Sequence, residues 1–98
     1  MTQYALVTMS LIGLALISCA QVKMCDSIVL QADWIVQARD TKAYSLSEIQ
    51  SIYGSRVGDL SALFLLYSMT SEIYDNPSWD AVKARQYAKR ECFIRNIP

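Results

Sequence analysis

Three residues of this chain carry thiol chemistry, Cys19, Cys25 and Cys92, and no histidine accompanies them. The missing imidazole removes the commonest general base and the commonest metal ligand. Serine–histidine and cysteine–histidine mechanisms are therefore excluded. The cysteines have no CxxC spacing, and a structural zinc site needs four ligands. Two acidic residues, Asp26 and Asp33, are seven positions apart and share a helix face, but nothing opposes them that would raise one pKa. They read as solvated. Gly54 and Gly58 flank Ser55-Arg56-Val57, which is not a phosphate loop. Trp34, Trp79, Tyr67 and Tyr74 read as core aromatics rather than a ligand box. The expectation is a protein that is not an enzyme and that takes no metal and no cofactor.

What remains for the thiols is oxidation to a disulfide or acylation at a processing site, and the leader decides between them. Residues 1–20 carry no charged side chain, so all nine basic and all nine acidic residues lie downstream. The apolar stretch from Ala5 to Ile17 has signal-peptide length, about 7–15 residues, rather than the ~20 of a membrane span. Ser18-Cys19-Ala20 presents small residues to a signal peptidase, which would leave Gln21 first. Leu16-Ile17-Ser18-Cys19 also resembles a bacterial lipobox, in which Cys19 is lipidated. The start of the leader lacks the usual positive side chains, which fits retention as an anchor or core helix. Three fates thus stay open: cleavage, lipidation of Cys19, or retention. The domain boundaries are 1–20 for the signal peptide or signal anchor and 21–98 for an exported domain.

Cleavage removes Cys19 and lipidation consumes its thiol, so Cys25 and Cys92 are left as an even pair. A disulfide between them spans 67 positions and closes almost the whole exported domain. In the chain-entropy model such a loop contributes roughly 4 kcal/mol. An oxidising compartment would form it, and a cytosolic protein would hold two free thiols instead.

The elements that must bring those cysteines together read as helices. From Cys25 to Arg39, Cys25, Ile28, Ala32 and Ile35 fall on one face at helical spacing, with Val29 and Val36 beside them. Ser45 to Glu48 has the form of a capping box, ahead of Leu46, Ile49 and Tyr53, and Gly54 suits a left-handed stop. A third helix starts after Asp59 as N-cap. It is apolar on most sides, which predicts a central position, with Leu60, Leu63, Phe64 and Tyr67 as its main stripe. Asn76 as cap and Pro77 at the first helical position then open the last helix. The helices are expected at about 25–39, 46–53, 60–74 and 77–94. A Cys25–Cys92 bridge requires the first and last to run antiparallel. The small face of Ala81, Ala84 and Ala88 would then lie against Ile28, Ala32 and Ile35. The predicted fold is all-α, a small four-helix domain behind an apolar leader, closed by one disulfide.

The last helix also carries Lys83, Arg85, Lys89 and Arg90, a candidate partner-binding face. From Asn76 onward five basic residues stand against two acidic ones. Cations late in a helix complement its dipole, and long basic chains commonly solvate an outer face. No aromatic–basic interleaving accompanies them, so nucleic acid is not expected as a partner.

The leader, the early cysteine, "ADWIVQARD", the apolar helix, "YDNPSWDAVKARQYAKREC" and the last cysteine together resemble a group of short exported helical proteins of phages, prophages and proteobacteria. The positions that carry the resemblance are Cys25, Ala32, Arg39, Pro77 and Cys92. A glycine often follows the arginine in that group, whereas this chain has Asp40-Thr41-Lys42. The layout is also similar to phage antiholins, which join a weak signal-anchor leader to a small helical periplasmic domain. The resemblance implies an exported, periplasmic or membrane-associated protein that binds another envelope protein, in lysis control for an antiholin-like role. The alternatives are a lipid-anchored outer-membrane protein that blocks a receptor, and a small membrane or virion protein retaining residues 1–20. Membrane contact is expected only through residues 1–20 or a lipid on Cys19.

Overall fold

The structure is a computed structural model, and it describes residues 23–98. The leader and Cys19 lie outside the described residues. Four helices make up the domain: α1 (Met24–Asp40), α2 (Leu46–Arg56), α3 (Leu60–Asp75) and α4 (Ala81–Ile94). The all-α reading holds, and the Cys25–Cys92 disulfide is present with its Cα atoms 6.0 Å apart.

Local chemistry sets where most of these helices begin. The Ser45 hydroxyl accepts from the Glu48 amide at 3.2 Å, and the Ser45 amide donates to Glu48 Oε1 at 2.7 Å. That is the complete capping box, and it satisfies two amides that the first turn of α2 leaves free. Asp59 caps α3 by accepting from Ala62 N at 3.0 Å. Asp80 caps α4 in the same way, accepting from Lys83 N at 2.9 Å. The last helix therefore starts at Ala81 rather than near Pro77. Asn76 ends α3 instead of opening α4, its amide donating to Ile73 O at 3.3 Å.

Helix ends depart from the expected glycine signal. Gly54 lies inside α2 with no left-handed backbone. A Cβ there would meet the Tyr67 hydroxyl at 2.6 Å, so its bareness serves the close approach of α3. The left-handed positions are Lys42 and Asn96, at φ 57° and 58°. Each closes a Schellman motif. Ala43 N donates to Ala38 O after α1, and Ile97 N donates to Cys92 O after α4. The second motif turns Ile97 into the core and returns the chain to the start of α1, where Cys25 N donates to Pro98 O at 2.7 Å.

Contacts between helices fix their directions. Cys25 meets Cys92, Asp33 pairs with Arg85, and Arg39 reaches the carbonyl of Trp79. Numbers rise along α1 as they fall along α4, so the two are antiparallel, as the disulfide requires. Tyr74 Oη donates to Tyr44 O at 2.6 Å, and Gln50 Nε2 donates to Ser71 Oγ at 3.2 Å, which sets α2 antiparallel to α3. The chain thus runs up, down, up, down. α1 packs on both α3 and α4, and α3 packs on the other three helices.

The core lies where these faces meet. Ile28, Val29, Ala32, Ile35, Val36 and Ala38 are buried on α1, and Ala84, Ala88 and Cys92 on α4. Ala84 and Ala88 belong to the same buried cluster as Ile28, Ala32 and Ile35, which explains their size: α1 and α4 must approach within the reach of one disulfide. Ala81, expected on that face, is only partly buried at the start of α4. On α3 the inward stripe is Ala62, Leu65, Leu66, Met69, Thr70 and Ile73. This stripe differs from the expected one of Leu60, Leu63, Phe64 and Tyr67. Phe64 is 57% exposed and Leu60 is exposed as well, while Leu63 and Tyr67 are only partly buried. α3 is apolar nearly all round, so its own pattern could not say which side faces in. Buried Thr70 is satisfied by donating from its hydroxyl to Leu66 O at 2.6 Å.

Arg39 organises the opposite end from the disulfide. Its guanidinium donates to Ile73 O at 2.9 Å, Asn76 O at 3.1 Å and Trp79 O at 2.7 Å. These carbonyls end α3 and form the turn into α4. A cation there complements the negative end of α3 and holds the three-way junction of α1, α3 and α4.

Candidate functional site

Among adjacent helices in an up-down bundle, α1 and α2 are expected to pack. Here α2 lies along α3 instead and reaches α1 through the Tyr53 side chain. The gap between them is a groove of about 620 Å³. α1 supplies Met24, Ile28 and Trp34 to its walls, α2 supplies Ile52 and Arg56, and Leu66 of α3 forms the floor.

The walls are held by a few specific contacts. Trp34 sits edge-on to Tyr53 with ring centroids 6.1 Å apart, and tilted against Tyr44 at 5.8 Å. Tyr53 Oη donates to Gln31 Oε1 at 2.8 Å across the groove. Burial pushes the Tyr53 phenol well above its ordinary range, so it stays a neutral donor. Arg56 stands exposed at the rim and forms no ion pair with the described residues. The arrangement offers apolar surface, an aromatic end wall and one unpaired cation. It has no nucleophile with a base beside it. Among the described residues no group of three His, Cys, Asp or Glu side chains is placed to hold a metal ion.

The residues singled out in the sequence fall elsewhere. Cys25 and Cys92 are joined on the α1–α4 side, and Cys19 lies outside the described residues. The four cations of α4 do not form one face. Arg85 Nη1 donates to Asp33 Oδ1 at 2.5 Å, turned toward α1. Lys83, Lys89 and Arg90 point to solvent, with the Arg90 guanidinium 5.5 Å from the centre of the Tyr87 ring. Asp33 is thus paired rather than simply solvated, and Asp26 is exposed. The groove itself escaped sequence reasoning. Its one signal was the exposed cation between the glycines, Arg56, and that pointed to no ligand. Whether α1 and α2 pack or diverge depends on α3, not on either helix alone. No helix among the described residues is long and apolar enough to cross a membrane. No protein-family model, curated protein or solved structure matches this chain.

Proposed function

We propose that this protein is a non-enzymatic binding module of the bacterial envelope that holds an apolar segment of a partner protein in the α1–α2 groove. The observation that carries the reading is the groove, an apolar trough between two helices that would otherwise bury those side chains on each other. It extends along α1 from Met24 to Trp34, about 15 Å at 1.5 Å per residue, which suits two to three turns of a partner helix. Arg56 at the rim favours a segment with an acidic residue beside its apolar stripe. The Cys25–Cys92 disulfide supports an oxidising compartment, hence export to the periplasm. In the setting that the resemblance implies, the partner is an envelope protein of a phage or its host, and its capture bears on lysis control.

Site-specific photocrosslinking in the periplasm tests this. A photoreactive residue at Ile52 is expected to give one discrete adduct, whereas the same residue at Ser47, on the exposed first turn of α2, gives none. A second change within the groove, Trp34→Glu, should abolish the adduct while the helical signal is retained. Equal labelling from both positions, or none from Ile52, would refute the groove as the binding site.

A further inference from the structure

The side of α4 turned away from the core has an unusual composition. Its exposed residues are Val82, Lys83, Gln86, Lys89, Arg90, Phe93 and Ile94. Three are cations and three are large and apolar. The one carboxylate that borders them, Asp80, is engaged at the N-cap, accepting from Lys83 N at 2.9 Å. Phe93 is 84% exposed, Ile94 60% and Val82 52%. The one acid within the helix, Glu91, is only partly exposed and is taken by Arg95, whose Nε donates to Glu91 Oε1 at 3.1 Å. Arg85, the remaining cation, is paired with Asp33. The chain has no net charge, so this face is positive because carboxylates have been placed elsewhere.

We infer that the outer face of α4 is a docking surface for an anionic lipid bilayer, lying in the plane of the headgroups. Helical geometry puts Val82 and Phe93 on one line, since eleven residues are close to three full turns. Both ends of the helix therefore meet a flat surface together, about 16 Å apart. Phe93 reaches the acyl boundary beside Val82, and Ile94 lies about 100° round the helix at the edge of the contact. Lys83, Lys89 and Arg90 extend to phosphates between and beside them. A helix face with three free cations, bulky apolar side chains and an acid only at its N-cap is the composition that interfacial helices use. A nucleic acid or a purely acidic peptide would use the cations but leave Phe93 and Ile94 in water. Membrane contact then extends beyond residues 1–20 and Cys19 to the folded domain. The groove opens between other helices, so the two surfaces are independent.

Vesicle flotation tests the assignment, using the full chain and a chain beginning at Gln21, which retains all four helices and the disulfide. Binding is measured to vesicles of equal parts phosphatidylglycerol and phosphatidylcholine, and to phosphatidylcholine alone. Wild type should favour the anionic vesicles and release as salt rises. Neutralising one of the three cations should weaken partitioning roughly fivefold. The paired change Phe93→Ser with Ile94→Ser should weaken it by at least about tenfold with all charges kept. Ile52→Glu, in the groove, should have no effect, and circular dichroism confirms that each variant remains helical. Equal binding to both vesicles, or binding to neither, overturns the proposal. So does indifference to the Phe93 and Ile94 changes, together with equally tight binding of soluble polyglutamate, which would assign the face to an acidic protein.

Discussion

Removing Arg39 tests the junction of α1, α3 and α4. Its side chain is 10% exposed and donates to three backbone carbonyls on two other segments. Hydrogen bonds from a charged donor contribute about 1.5–3 kcal/mol each, so three set a ceiling near 4.5–9 kcal/mol. The carbonyls are only part-buried, and water that enters after truncation recovers much of that. Arg39→Ala is therefore expected to lose about 3 kcal/mol, a large fraction of the 5–10 kcal/mol typical of such a domain. Arg39→Lys discriminates further. An ammonium is a point charge on a flexible stem and cannot span three carbonyls that a planar guanidinium reaches at once, so the loss should stay near 2 kcal/mol. Asp40→Ala should cost less than about 1 kcal/mol, because that ion pair is at the surface. Urea unfolding of the oxidised protein gives these values, with the denaturant slope unchanged. Amide exchange should also quicken at Asn76 and Trp79, whose N–H groups hold the turn. An Arg39→Lys protein within about 0.5 kcal/mol of the native one would refute the clamp.

Reduction, or serine at either cysteine, should lower stability by roughly 4 kcal/mol, and the double change Cys25→Ser with Cys92→Ser should lose no more than either alone. Additive losses in denaturant unfolding would mean two independently buried thiols. Leu65→Ala should cost about 2–5 kcal/mol, whereas Phe64→Ala should stay within about 1 kcal/mol; thermal melts that reverse the order would place the wrong side of α3 inward. Burial pushes the phenols of Tyr53, Tyr74 and Tyr87 upward, so the folded state holds their protons more tightly than the unfolded chain does. Stability from this source is full below the unfolded value of about 10 and declines as pH rises above it. Melting temperatures should hold to about pH 10 and fall above it, and Tyr53→Phe should flatten that fall; a profile unchanged in the variant would remove Tyr53 as the cause.

Much of the architecture was legible in the residues themselves. The helical spacing of Ile28, Ala32 and Ile35, the capping box at Ser45 and the cap at Asp59 are local, and local chemistry reads directly from neighbouring positions. The disulfide was legible for a different reason. Only two cysteines remain once Cys19 is set aside, and joining them forces α1 and α4 antiparallel. Tertiary structure decided the rest. Leu60 and Phe64 are as apolar as Leu65 and Leu66, so a helix apolar on most sides carries no periodicity to orient it, and the positions of α1, α2 and α4 select its inward stripe. Asn76 and Pro77 have the composition of a helix start, but Arg39 captures the Asn76 carbonyl for the end of α3, and Asp80 takes the cap of α4. Gly54 resembles a helix stop until Tyr67 is seen to occupy the space beside it. The groove follows from the same competition. α2 packs along α3 rather than along α1, and that arrangement, a property of three helices together, leaves Met24, Trp34 and Ile52 lining a gap.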